Sequence, residues 1–214
     1  MMGTPVTLHT FLSLDGVMQA PGGPDEDTSG GFPHGGWTFP YADEQFGEVV
    51  ADWFRAGEGY LLGRRTYDIF ASYWPNVPDP EEPPVAQMLN SLPKYVASRT
   101  PELRLEWRNS AQLGADVVAE VATLKRREPQ RPGGELQIHG SGDFAQTLHG
   151  AGLIDEYRLF IYPVVLGTGK RLFPEGSTPT AMKLVNSTVT ASGITIQTYR
   201  PAGKPTYGSF AADA

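Results

Sequence analysis

Three short stretches of this chain carry residue types that suit a phosphate. Gly63-Arg64-Arg65-Thr66 and Gly140-Ser141-Gly142 each stand between an apolar run and a helical pattern, and Ser98-Arg99-Thr100 follows a third apolar run. Glycine lets a backbone turn with positive φ or come close to a ligand. The first amides of a helix attract an anion. Arginine offers a planar fork of donors that fits a phosphate, where lysine serves less well. Helix amides for a pyrophosphate and arginine for a 2′-phosphate make a site for a phosphorylated dinucleotide. Each stretch alone also has a plain reading. Gly-x-Gly is a common turn, Arg64 and Arg65 are ordinary at a helix start, and Arg99 can be a surface charge. The dinucleotide fingerprint G-x-G-x-x-G is absent, because residue 145 is alanine and the motif falls late in the chain. That argues against a conventional Rossmann dehydrogenase.

The elements around these stretches decide whether they can meet. Thr4 to Ser13 is rich in β-branched and apolar residues and predicts a first strand, closed by the Asp15-Gly16 turn. A Gly/Pro-rich loop follows from Ala20 to Trp37, longer than an ordinary connector and therefore functional or disordered. Its glycines and its aromatic end suggest a lid that docks over a site. Helical spacing of Phe46, Val49, Val50, Trp53 and Phe54 predicts a helix over 41–56. GYLLG predicts the second strand and RRTYDIFASYW the second helix, with a proline-rich loop from Pro75 to Pro84. LPKYVAS predicts the third strand, Leu103 to Trp107 a weaker fourth, and Ala115 to Arg127 a helix. Glu135 to Gly140 predicts the fifth strand, Asp143 to His149 a helix, and Asp155 to Val165 a long strand. Two strands joined by the Ser192-Gly193 turn fill 182–200. Alternating strands and helices predict an α/β layer with a mainly parallel sheet and a C-terminal antiparallel hairpin. In such a sheet, ligands bind at the carboxyl ends of the strands, which is where the three stretches fall.

Bulk properties narrow the classes. The 214 residues suffice for one sizeable core. There is no long apolar run for a membrane span and no signal-peptide pattern at the start. With no cysteine, disulfides, thiolate chemistry and cysteine-held metals are excluded, and a cytoplasmic protein is expected. His9, His34, His139 and His149 lack metal-ligand spacing, so no metal is expected. No G-x-S-x-G elbow supplies a hydrolase nucleophile. A net charge of −7 with scattered basic residues argues against nucleic acid as a partner.

FLSLDGVM, YLLGRRTYDIF, KYVASRT and above all IHGSGDFAQTLHGAGLIDEYRLFIYPVVLGTGKRLF resemble the dihydrofolate reductase-like superfamily. The closer resemblance is to the branch that includes the reductase domain of bifunctional riboflavin-biosynthesis proteins. It runs from about Val6 to Tyr199 and is most specific from Gly150 to Phe173. The Cys/His zinc signature of the deaminase half is missing, so a stand-alone reductase-type domain is expected. The resemblance implies a three-layer dihydrofolate reductase-like fold over residues 1–200, with a tail at 201–214. It implies NADPH as cofactor and hydride transfer to a C=N or C=O of a small heterocyclic or sugar-derived substrate. A nucleotide-binding protein without turnover is the alternative. Gly63, Arg64, Arg65, Thr66, Ser98 and Arg99 would hold cofactor phosphates, and Gly140, Ser141, Gly142 and Asp143 would lie against the pyrophosphate or nicotinamide. Ser141 interrupts the adjacent Gly-Gly pair of true dihydrofolate reductases. On the substrate side, the family uses an acid to support protonation. Asp15 matches the family pattern and is also an ordinary turn residue. Glu44 and Glu48 stand on the helix that carries that acid in dihydrofolate reductases. Trp37 and Phe39 could wall a pocket over the nicotinamide, and Pro163 lies near it. The family often dimerises, and the terminal hairpin leaves an edge open to pairing, so a homodimer is expected.

Overall fold

The computed structural model describes residues 3–78 and 85–210. Eight strands form one sheet in the order β4-β3-β2-β5-β1-β6-β8-β7. These are β1 (Val6–Ser13), β2 (Gly57–Gly63), β3 (Lys94–Ala97), β4 (Ser110–Gln112), β5 (Glu135–His139), β6 (Glu156–Tyr162), β7 (Met182–Val189) and β8 (Thr195–Pro201). β1 lies at the centre, parallel to β5 with His9 beside His139, and parallel to β6 with Ser13 beside Tyr162. β8 runs antiparallel to β6, and β7 antiparallel to β8. The inner strands are buried on both faces, so they read as dense apolar runs such as Tyr60-Leu61-Leu62.

Among the described residues, five α-helices cover the sheet: α1 (Glu44–Ala56), α2 (Arg64–Tyr73), α3 (Val85–Ser91), α4 (Val117–Lys125) and α5 (Gly142–Gly150). Leu8, Leu61 and Ile138 pack with Val121 and Leu124 of α4 and Leu148 of α5. On the opposite face, Phe160 and Tyr162 pack with Phe46, Val49 and Trp53 of α1, while Tyr60 and Leu62 pack with Leu89 of α3. That is the three-layer arrangement the α/β alternation implied. Among the described residues, no helix is long and apolar enough to cross a membrane.

Several elements differ from expectation for local reasons. Residues 103–107 alternate like a strand but do not join the sheet. The Leu103 amide donates to Gln112 Oε1 (2.7 Å) and the Trp107 amide to the Tyr67 hydroxyl (3.0 Å), so side chains take the place of a neighbouring strand. The fourth strand is Ser110–Gln112 instead. α3 carries no readable sequence signal, since its seven residues are too few to show a helical period. α1 begins at Glu44 rather than Tyr41, because residues 39–41 form a separate 3-10 turn and Asp43 caps the helix. β6 stops at Tyr162, where Pro163 has no amide to donate. The expected loop at 75–84 and the tail at 201–214 extend beyond the described residues at 79–84 and 211–214.

Asp116 caps α4 by accepting from the Ala119 amide at 2.9 Å. Asp116→Ala should therefore lower stability by about 0.5–2 kcal/mol. Urea unfolding would read this, and an unchanged midpoint would count against the cap's contribution.

Candidate functional site

Parallel pairing of β3, β2, β5 and β1 sets their carboxyl ends side by side. A cleft of about 1830 Å³ opens there, larger than a typical small-ligand pocket. Gly63, Arg64, Arg65, Thr66, Ser98, Arg99, Gly140, Ser141, Gly142 and Asp143 all line it. Segments as distant as Gly63 and Gly142 thus form one wall.

The glycine junction is a staple as well as a turn. Gly140 and Ser141 both take left-handed backbone conformations, with φ of 54° and 53°. Ser141 Oγ accepts from the Gly63 amide and donates to the His139 carbonyl, each at 2.9 Å. The Ser141 amide donates to Thr66 Oγ1 at 3.2 Å. The ends of β2 and β5 are therefore tied together through one serine. The Ser141 hydroxyl satisfies two backbone groups at this strained position.

The helix starts differ in a telling way. α1 and α4 are capped by aspartates, Asp43 and Asp116. α2 and α5, whose starts line the cleft, have no side-chain cap. Their first amides have no carbonyl behind them and carry the positive end of the helix dipole. Arg64 pairs with Asp68 within 2.7 Å, and Arg65 pairs with Asp27 at 3.2 Å. Arg99 is exposed and has no ion-pair or hydrogen-bond partner among the described residues. Asp143 stands in the first turn of α5, exposed, where its charge suits the dipole and opposes a second anion.

The Ala20–Trp37 loop is folded and pinned. Gln19 Nε2 donates to the Asp27 and Ser29 carbonyls at 2.9 Å. Asp27 takes Lys170 Nζ at 2.7 Å. Burial opposes its charge, but Lys170 and Ser29 outweigh burial and hold its pKa at about 2. Pro21, Gly22, Glu26 and Asp27 form part of the cleft wall.

The residues expected on the substrate side lie elsewhere. Trp37 is buried, donates its indole N–H to the Gln19 carbonyl at 2.8 Å and meets Tyr162 edge-on, so it anchors the loop and does not line the cleft. Asp15 is also outside the cleft wall. Its carboxylate accepts from the Ser13 hydroxyl (2.7 Å) and from the Leu166 and Gly167 amides, with Arg171 at 3.3 Å. The Ser13 bond above all holds its pKa near 2, so it braces the turn as a fixed anion. Phe39 is 81% exposed. Glu44, Glu48 and Pro163 face solvent, and none of these lines the cleft.

The inner end of the cleft is built from residues that sequence reasoning passed over. His9, Phe11, Trp53, Phe54, His139 and Phe160 line it. His9 stacks on His139 (centroids 4.9 Å apart), and His139 stacks on Phe54 (4.4 Å). Burial lowers the pKa of both histidines, that of His139 well below the usual 6.5. Beneath them Arg158 holds Glu135 with two bonds of 2.8 Å. Burial opposes the Glu135 charge, but His9, Arg158 and Gln137 keep its pKa below the usual value. A readable signal existed. Glu135, Gln137 and His139 alternate with Leu136 and Ile138, which puts three polar groups on one strand face. That face is usually solvent, but here α1 covers it.

The model of the RibD C-terminal domain family matches residues 4–196. The uncharacterized protein YyaP of Bacillus subtilis (strain 168) is 30% identical over 191 residues, 88% of this chain and 90% of that protein. Among solved structures, dihydrofolate reductase from Enterococcus faecalis, complexed with NADP(H) and RAB-propyl, is similar with a TM-score of 0.54. It is 15% identical, covering 92% of this chain and 96% of that one. A pyrimidine reductase-like protein from Corynebacterium diphtheriae is similar with a TM-score of 0.55 at 14% identity, covering 92% of each chain. The fold is therefore dihydrofolate reductase-like.

Proposed function

The chain belongs to the RibD C-terminal domain family, and on that premise we propose that it is an NADPH-dependent reductase of a small heterocyclic or sugar-derived substrate. The observation that carries the reading is the wall of the cleft: two helix starts without a side-chain cap and Arg99, unpaired among the described residues, line one space. The donor set fits a dinucleotide with an extra phosphate. The starts of α2 and α5 would take the pyrophosphate, and Arg99 with Ser98 would take the 2′-phosphate. When bound, the reduced nicotinamide supplies hydride to a C=N or C=O of the substrate. The protein's part is to position both molecules and to exclude water. The pinned loop carrying Glu26 and Asp27 closes one side of the cleft. We propose further that residues 1–200 act as one domain, that the protein is cytoplasmic, and that the exposed edge strand β7 supports a homodimer, which sedimentation at micromolar concentration would check.

Titration with NADPH, followed by loss of nicotinamide absorbance with pterins, quinones and deaminated pyrimidines, tests the reading. Failure to bind NADPH would overturn it. Binding without turnover of any substrate would favour a cofactor sensor.

Gly142→Val should weaken NADPH binding by about tenfold or more and leave the protein folded. A Cβ there comes within 3.1 Å of Met18 Sδ, a flexible side chain of the cleft wall. Met18, which also packs against the core, is flexible enough to move aside. The new side chain would stand at the start of α5, where one lost hydrogen bond to a charged group already costs about tenfold. Normal NADPH affinity would mean that Gly142 is only a turn residue.

A further inference from the structure

The tip of the long loop is held by polar ties rather than by packing. Ala20 and Phe32 are buried, but none of residues 22–31 between them is. Gly30 and Gly31 take positive φ of 70° and 72°, and a Cβ at either would meet nothing within 4 Å. A segment with few buried apolar contacts opens locally at low cost. Among the described residues, the hydrogen bonds from the tip to the rest of the fold run to the Gln19 amide and to two cations. Asp27 Oδ2 accepts from Lys170 Nζ (2.7 Å) and Arg65 Nη1 (3.2 Å). Its Oδ1 accepts from the Ser29 amide (3.1 Å) and hydroxyl (2.6 Å), and Ser29 Oγ accepts from both cations in turn (2.7 and 3.3 Å). Arg65 stands in the first turn of α2, and Lys170 follows β6. Both line the cleft, with side chains 60% and 44% exposed, whereas the Asp27 side chain is 12% exposed.

From this arrangement we infer that Asp27 stands in for a ligand phosphate, and that a phosphate arriving at the start of α2 takes Arg65 and Lys170 from it and frees the loop tip. The contact is autoinhibitory, since a ligand must displace Asp27 before it gains the two cations. The inference rests on the reductase reading in one respect, that a phosphorylated ligand enters this cleft. α2 has no side-chain cap, so its first amides and Arg65 offer an anion the same helix end. The two cations remain open to solvent, and to an anion in it, while the carboxylate is largely covered. A pyrophosphate carries more negative charge and more acceptor oxygens than one carboxylate, so it competes for both cations.

After the exchange, Asp27 keeps the Ser29 bonds alone and faces a second anion nearby. Like charges at short range repel, which favours an open tip. The neighbouring Glu26 cannot replace it on the cations, because its carboxylate is turned to the Gly22 and Gly23 amides within the tip. Asp27 is ionised throughout the neutral range, with its pKa at about 2. The latch therefore answers to anions and not to pH.

The test uses inorganic pyrophosphate as the probe, with two readouts. Calorimetry gives its affinity, and a glutamate-specific protease reports the loop tip through cleavage after Glu26, followed by mass, with a free peptide as reference for the protease. In the wild-type protein, cleavage after Glu26 should quicken severalfold as pyrophosphate saturates. In Asp27→Asn, cleavage should be fast from the start and gain nothing from pyrophosphate, and pyrophosphate should bind about threefold to tenfold more tightly. Asp25→Asn removes an equal charge from an exposed side chain of the same tip that has no partner among the described residues, so it should match the wild type on both readouts. The wild-type comparison stands even if Asp27→Asn does not fold. Pyrophosphate that fails to bind, or that binds and leaves wild-type cleavage unchanged or slower, overturns the latch. So does equal affinity in Asp27→Asn and the wild type, or an equal gain in Asp25→Asn. NADPH binding that leaves cleavage unchanged overturns the latch and leaves the reductase reading intact. Release by pyrophosphate in a protein that does not bind NADPH upholds the latch and overturns the reductase reading.

Discussion

Arg99→Ala is expected to weaken NADPH binding by about 1.5–3 kcal/mol, roughly tenfold to over a hundredfold, and to leave NADH binding nearly unchanged. Arg99 follows β3 at the edge of the cleft, exposed and without an ion-pair or hydrogen-bond partner among the described residues. Its guanidinium need not leave a carboxylate to meet a phosphate. Arg64 and Arg65 differ, because Asp68 and Asp27 already hold them. Their removal should therefore cost less for NADPH and should not separate it from NADH. Calorimetric titration of both cofactors at fixed ionic strength decides the matter, since an exposed phosphate contact weakens with salt. Equal losses for NADPH and NADH would remove Arg99 from the 2′-phosphate.

The strand-to-helix wall of the cleft was legible in the sequence because its code is local. Each of Gly63-Arg64-Arg65-Thr66 and Gly140-Ser141-Gly142 joins a strand to a helix within a few residues, and parallel pairing of apolar strands brings the junctions together. The inner end of the cleft was not legible for the opposite reason. His9, Trp53, His139 and Phe160 stand on four different elements, and no local spacing announces that they meet. Two loop residues lie outside the cleft wall for a third reason. Trp37 and Asp15 sit where function often resides, but the long loop must bury backbone and side chains of its own to hold a shape. The indole of Trp37 and the carboxylate of Asp15 do that. Residues 103–107 show the same limit in secondary structure. Alternation reports which residues are buried, whereas strand formation also needs a neighbour to receive the backbone hydrogen bonds.

Arg158→Met should destabilise the protein by about 3–5 kcal/mol at pH 7, because removing one partner strands the other charge in the interior. Arg158 and Glu135 side chains are 16% and 4% exposed, and two bonds of 2.8 Å join them. Methionine keeps much of the apolar stem and removes the guanidinium, whose carbon lies 5.9 Å from the Trp53 ring centre, so lost packing is the smaller part. The pH dependence separates charge from packing. In the native protein the Glu135 pKa lies below its unfolded value of about 4.5, so its contribution is present above that pH and lost as pH falls further. Arg158 is one of the groups that hold the Glu135 pKa down, so its removal moves that pKa up and the variant's penalty should shrink as pH falls from 7 to 5. A proton taken up by the neighbouring His9 would act in the same direction. Arg158 also helps to lower the His139 pKa, so its removal lets His139 take up a proton more readily and acts in the same direction. Urea unfolding of both proteins at pH 7 and pH 5 provides the measurement. A double variant, Arg158→Met with Glu135→Gln, should recover most of the loss, since the stranded charge is gone. A penalty below about 1 kcal/mol, or one that is the same at both pH values, would show that the pair does not hold the floor of the inner cleft in the way its geometry implies.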